Sequence, residues 1–270
     1  MIRIAVFASG AGSNAQQIIN YFNHNSSHPS KTLVGATKPL DGQDDRDAPV
    51  SSPGKLRSGA SQQDHGETLA SERLPEAPGF AYSQRDHEET PTGLSGRPKE
   101  EIAVTLIVCN KPGAGVLEIA RKENIETLLI EKEPFFRGGA YLAELKDKKI
   151  DFIILAGFLW KVPDPLIEAF PRSIINIHPA LLPKYGGKGM YGSFVHEAVI
   201  NAKEQTSGIT IHYVDGHYDH GDIIFQANCR VNETDTPQSL AQKIHALEHE
   251  HYPRIIEMEI NRQLANLADH

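Results

Sequence analysis

The sequence predicts an α/β protein: a doubly wound, mostly parallel sheet that ends in an antiparallel strand pair. Three observations predict it. Short runs rich in Ile, Val and Leu, without polar alternation, recur along the chain and read as strands buried on both faces. Segments with apolar residues at helical spacing separate them, the pattern of a parallel sheet with crossover helices. A glycine turn, Gly10-Ala11-Gly12-Ser13-Asn14, joins the first such run to the first helical segment.

Residues 2–8 form the first strand, and Ile18, Ile19 and Phe22 recur at helical spacing behind the glycine turn. The pattern resumes past residue 100, with a strand at 103–108, a helix at 116–122 and a strand at 126–130. A helix at 141–148 turns Leu142 and Leu145 inward, and strands follow at 152–156 and 174–177. Crossovers between such strands are right-handed, giving a Rossmann-like sheet. The last third differs. Residues 207–214 and 222–228 alternate more and are close in sequence, so they read as an antiparallel pair added to the sheet. A final helix begins near Thr236-Pro237, where Thr can cap and Pro fits the first turn. It continues through Leu240, Ile244 and Leu247.

The 270 residues carry 27 Lys and Arg against 35 Asp and Glu, a formal charge of −8. That acidic balance argues against sequence-independent nucleic-acid binding, which needs cations against phosphate. No apolar run approaches the roughly 18–20 residues of a membrane helix. Residues 1–6 read directly as a strand, so no secretory signal is expected. Cys109 and Cys229 are too few for a disulfide framework and fit a reducing cytoplasm. Residues 31–100 stand apart, with 15 Gly and Pro against 10 large apolar residues. Such a stretch buries too little to offset about 1–2 kcal/mol of backbone entropy per residue. The expectation is one domain over residues 1–270, interrupted at about 31–100 by a mostly disordered insertion.

Three segments carry chemistry. In the glycine turn, the backbone can approach a ligand closely and free N–H groups favour an anion. Ser13 and Asn14 add side-chain donors. Ala15 completes a dinucleotide-like spacing, but no acidic residue ends a second strand about 20 residues on. A single phosphate is the preferred ligand, and a tight turn without one is the alternative. The second segment, Asn176-Ile177-His178-Pro179-Ala180-Leu181-Leu182-Pro183, follows a buried strand, where open α/β sheets place ligands. Asn176 and His178 are two apart and project to the same side of an extended chain. An amide beside an imidazole can hold a developing oxyanion and exchange protons near neutral pH. The third is Asp215-Gly216-His217-Tyr218-Asp219-His220-Gly221 between the two late strands. A carboxylate here could orient His178, but spacing does not choose among Asp215, Asp219 and Asp222.

With these segments in view, the chain resembles the folate-dependent formyltransferases, and among them the phosphoribosylglycinamide (glycinamide ribonucleotide) formyltransferases of purine synthesis. The residues that carry the resemblance are the Ser9–Asn14 turn, Leu155-Ala156-Gly157-Phe158, the Asn176–Pro183 segment, Asp219-His220-Gly221, and Glu248-His249 before Tyr252-Pro253. It covers about residues 1–25 and 102–258 and implies the formyltransferase fold. It further implies formyl transfer from 10-formyltetrahydrofolate to the amine of glycinamide ribonucleotide, with no metal. Asn176 and His178 would stabilise the oxyanion, and Asp219 would keep His178 protonated and relay protons. Gly12, Ser13 and Asn14 would hold the ribonucleotide phosphate, and His245 and Glu248 its ribose or glycine end. Leu159, Trp160, Lys161 and Val162 would line the pterin pocket opposite residues 215–219, with Asp215 in that wall. Arg137 would be a further folate contact. The implied partners are small molecules, without nucleic acid or membrane, and the chain would be a monomer or homodimer.

Departures from the family pattern are the insertion, Trp160-Lys161 in place of an Arg-apolar pair, and Asp222 where proline is common. Rival readings remain. A methionyl-tRNA formyltransferase would carry a basic C-terminal domain, a formyltetrahydrofolate deformylase an extra N-terminal one, and a sugar-nucleotide formyltransferase a different phosphate loop. His245-Ala246-Leu247-Glu248-His249 also matches the H-x-x-E-H pattern of zinc hydrolases, for which His196, His212, His217 and His220 could supply further ligands. A phosphate- or folate-binding protein without turnover is the non-catalytic alternative.

Overall fold

The structure, a computed structural model, describes residues 1–24, 100–137 and 139–268. Residues 25–99, which hold almost all of the expected insertion, lie outside the described residues. Among the described residues, seven strands form one sheet in the order β3-β2-β1-β4-β5-β6-β7. These are β1 (Ile2–Ala8), β2 (Ile102–Cys109), β3 (Glu126–Leu129), β4 (Phe152–Leu155), β5 (Ile174–His178), β6 (Thr206–Tyr213) and β7 (Ile223–Arg230). The first five run parallel, β6 is antiparallel to β5, and β7 is antiparallel to β6.

The alternation of β1 explains the two layers. Ile4, Val6 and Ala8 face one core, while Ala5 and Phe7 face the other. The first core is closed by α1 (Ser13–Ile19), α2 (Gly115–Lys122), α6 (Ser193–Asn201) and α7 (Pro237–Ala268). The second is closed by α3 (Lys132–Phe136), α4 (Leu142–Asp147) and α5 (Asp164–Ala169). Strand β3 departs from the expectation of burial on both faces: Glu126, Thr127 and Leu129 are exposed. It is one of the two edge strands and has, among the described residues, a strand on one side only.

The topology places the functional loops. Strand order reverses between β1 and β4, so a crevice opens past their carboxyl ends. The Ser9–Asn14 turn leaves β1 there, residues 157–162 leave β4 there, and His178 ends β5 at the same edge. Ile2 pairs with Ile102, which puts the start of β2 at the opposite end of the sheet. Helix α7 is pinned beside the crevice by Tyr252, which is fully buried. Its hydroxyl donates to the carbonyls of Leu155 at 2.9 Å and Ile175 at 3.1 Å. Burial pushes the Tyr252 hydroxyl well above its ordinary pKa and keeps it a donor.

Candidate active site

Asn176 and His178 project to one side of β5, and the antiparallel register sets His212 opposite Asn176 and Thr210 opposite His178. Nδ1 of His212 lies 2.7 Å from the Tyr213 carbonyl. A carbonyl only accepts, so Nδ1 carries the hydrogen and Nε2 is free to accept. Nε2 takes a bond from Nδ2 of Asn176 at 3.0 Å. Burial pushes the His212 imidazole below its ordinary pKa, which favours this neutral tautomer. The Asn176 amide is thereby oriented and keeps a second N–H for a ligand.

His178 is anchored from the other side. Its Nε2 donates to the Tyr185 carbonyl at 2.8 Å. Its Nδ1 faces Oδ2 of Asp219 at 3.5 Å, and Oδ1 of the same carboxylate lies 3.8 Å from Nε2 of His212. Asp219 sits in the left-handed backbone region, with φ of 54°. Its Oδ2 also accepts the Gly187 N–H at 2.9 Å. Asn176, His178 and Asp219 therefore converge through His212 into one cluster. The other two aspartates are engaged elsewhere: Asp222 pairs with Arg172 at 2.9 Å, and Asp215 with His220 at 2.8 Å.

Thr210 fixes the turn that follows His178. Its hydroxyl donates to the Ala180 carbonyl at 2.7 Å and accepts from Leu182 N–H at 2.9 Å and Gln226 at 2.8 Å. Sequence reasoning missed Thr210 and named His212 only as a possible metal ligand. The available signal was a pair of polar residues, two apart, alternating with Ile209, Ile211 and Tyr213 in the second half of β6.

The glycine turn and the last helix meet. Gly12 caps α1 in the left-handed region with φ of 85°. A Cβ there would fall 2.9 Å from Ile119 Cδ1 and from Val116 Cβ, so the turn and α2 require glycine. Asn14 donates to Oε2 of Glu248 at 3.0 Å, while its own Oδ1 is buried without a partner among the described residues. Glu248 is 6% exposed, and burial pushes its carboxyl above the usual pKa against the pull of Asn14 and His245. Ser13 and His245 are exposed.

A profile of the formyl transferase family matches residues 93–256, more than half of the sequence. The chain is a member of the formyl transferase family. It is 44% identical over 160 residues to the phosphoribosylglycinamide formyltransferase, chloroplastic, of Arabidopsis thaliana, covering 57% of this chain and 54% of that protein. It is 36% identical over 167 residues to the phosphoribosylglycinamide formyltransferase of Bacillus subtilis, covering 59% of this chain and 83% of that protein. The crystal structure of phosphoribosylglycinamide formyltransferase from Bacillus halodurans superposes with a TM-score of 0.62 at 26% identity, covering 95% of this chain and 94% of that one. The chain spans about half the length of the plant relatives it matches.

In this family member the β6–β7 loop approaches the start of α5, just past the residues expected to line a pterin pocket. A Cβ on Gly216 would lie 3.7 Å from Oδ1 of Asp164, which itself stands 3.8 Å from the Lys161 ammonium. Leu159 is exposed and its N–H donates to Ser9 Oγ at 3.1 Å, tying the β4 loop to the β1 loop. Trp160 packs against Phe135, Phe136 and Phe158, and Val162 is buried in the second core, so both serve packing. Arg137, just past the end of α3, is exposed and paired with Glu133 in that helix. The H-x-x-E-H pattern is not assembled for a metal: Glu248 bonds Asn14, and the rings of His245 and His249 stack at 6.4 Å. Among the described residues, only Asp215, His217 and His220 bring three candidate donors within 4.8 Å of one another. No helix among the described residues is long and apolar enough to cross a membrane.

Proposed function

We propose that this chain transfers the formyl group of 10-formyltetrahydrofolate to the amine of glycinamide ribonucleotide, a step of purine synthesis. The observation that carries this reading is the convergence of Asn176, His178 and Asp219 at the crevice, with Asn176 oriented by His212. Membership of the family and the names of the relatives support it. The second N–H of Asn176 and a protonated His178 would hold the oxygen of the formyl carbon as the amine adds to it. The new C–N bond forms as the carbonyl π pair moves to oxygen. Collapse of that intermediate breaks the bond to the folate nitrogen, which takes up the proton the amine gives up. Asp219, 3.5 Å from Nδ1 of His178, would orient the imidazole and carry that proton.

The ribonucleotide phosphate would lie on Gly12, Ser13 and Asn14, and its glycine or ribose end against Glu248 and His245. The unpartnered Oδ1 of Asn14 supports a ligand there. The pterin would lie between residues 159–162 and the loop from Asp215. Holding two weakly reactive substrates in line is itself a large part of such catalysis. The reaction needs only diffusible small molecules, and we assign it to the cytoplasm, in keeping with the free Cys109 and Cys229. The test is an absorbance assay for the folate product with glycinamide ribonucleotide as acceptor, beside a panel of other amines. Turnover restricted to glycinamide ribonucleotide supports the reading. Equal turnover with water, or a preference for an aminoacyl or sugar-nucleotide amine, overturns it.

A further inference from the structure

The loop between β6 and β7, which the proposed function places beside the pterin, also gathers three side chains that can ligate a metal. Oδ2 of Asp215 lies 2.8 Å from Nδ1 of His220, and Oδ1 lies 4.0 Å from Nδ1 of His217. The two imidazole rings meet edge to face, with centroids 5.4 Å apart. Both histidine side chains are mostly exposed, at 80% and 74%. All three donors lie within 4.8 Å of one another. We propose that Asp215, His217 and His220 bind one zinc-class divalent transition-metal ion on the solvent side of this loop.

The chemistry of the donors selects the ion. Two imidazoles and one carboxylate suit zinc and its neighbours rather than magnesium or calcium, which prefer oxygen alone. Zinc bonds of about 2.0–2.2 Å, arranged tetrahedrally, put ligand atoms roughly 3.3–3.5 Å apart. One pair here is closer than that and another is wider, so rotations of exposed side chains suffice. Water would complete the shell.

The backbone is already set for it. The His217 N–H donates to Oδ1 of Asp215 at 2.8 Å, which tightens the turn beneath the donors. The base of the loop is closed by Tyr213 N–H to the Asp222 carbonyl at 3.0 Å. Gly221 packs so tightly there that a Cβ would lie 2.0 Å from the Tyr213 carbonyl oxygen. The donors fall within six consecutive residues, so gathering them orders little further chain. Binding would replace the His220–Asp215 contact by bonds of both side chains to the ion.

The test is calorimetric titration of the full chain with zinc chloride, without substrates. The expected result is one equivalent bound at this loop. His217→Ala and His220→Ala should each weaken it tenfold or more, and the double variant should lose it. Because both side chains are exposed, the metal-free variants should melt as the wild type does. A second measurement uses the wild type alone: zinc should protect His217 and His220 from diethyl pyrocarbonate, read by peptide mass spectrometry. The absence of binding at millimolar zinc would overturn the proposal. So would undiminished binding by the double variant, or zinc that leaves both rings unprotected.

Discussion

Replacing Asp219 by Asn removes one charge and nearly keeps the shape. The amide oxygen can still accept from Gly187 N–H, as the carboxylate does at 2.9 Å, so the loop should hold its place. What changes is the field at His178. The carboxylate lies 3.5 Å from Nδ1, and the two side chains are 11% and 4% exposed. At that distance two unit charges attract by about 5 kcal/mol in an effective dielectric of about 20, and by about 1 kcal/mol in bulk water. The site is neither dry nor open, so the loss falls between these bounds. At about 1.4 kcal/mol per factor of ten, kcat should drop by roughly 10- to 1,000-fold. KM should move much less, because the charge matters most when negative charge grows on the formyl oxygen.

A double-mutant cycle makes this sharper. If Asp219 works through His178, then once His178→Ala has removed the imidazole, Asp219→Asn should cost little more. The assay is steady-state appearance of the folate product for wild type, both single variants and the double. Effects that multiply would refute the coupling. So would near-wild-type turnover in Asp219→Asn.

Three further outcomes are expected. Gly12→Ala should destabilise the fold by about 1–3 kcal/mol, since the added Cβ meets Ile119 and Val116 at 2.9 Å and φ is 85°; thermal melting checks it, and an unchanged midpoint would refute the close contact. Tyr252→Phe should cost about 1–3 kcal/mol in urea denaturation, because the Leu155 and Ile175 carbonyls lose their buried donor. The pKa of His212 is lowered by burial from the ordinary 6.5, so its contribution to stability is complete above 6.5 and is lost as pH falls below that value. His212→Gln, which does not titrate, should therefore flatten part of the stability profile between pH 7 and 5, measured by urea midpoints.

Strands β1, β2, β4 and β5 were legible because each is an apolar run between turn residues. Helices α3 and α5 were not. Helix α3 has five residues with Pro134 inside it, and α5 has six beginning Asp164-Pro165. Neither is long enough to show a period of 3.6 residues. In the site, Asn176 and His178 could be paired from their spacing alone, since alternate residues of a strand share a face. Asp219 could not be told from Asp215 or Asp222. All three lie in one loop, and the choice depends on where its left-handed residue turns the chain. Asn14 and Glu248 are 234 positions apart, and no local pattern joins them.

The register of β6 explains why the site needs an antiparallel neighbour. Directly opposed residues of an antiparallel pair have side chains about 4.5–5.5 Å apart on the same face. That puts His212 beside Asn176 and Thr210 beside His178. His212 then aims the amide, and Thr210 ties down the turn that His178 enters. A slip of one residue would present Ile211, which is fully buried in the first core, to Asn176 and leave the amide without its acceptor. The cost would be paired, since Ile211 would leave its packing as His212 left its hydrogen bonds. The same apolar burial that stabilises β6 therefore fixes the geometry of the amide and imidazole, and site and core cannot shift independently.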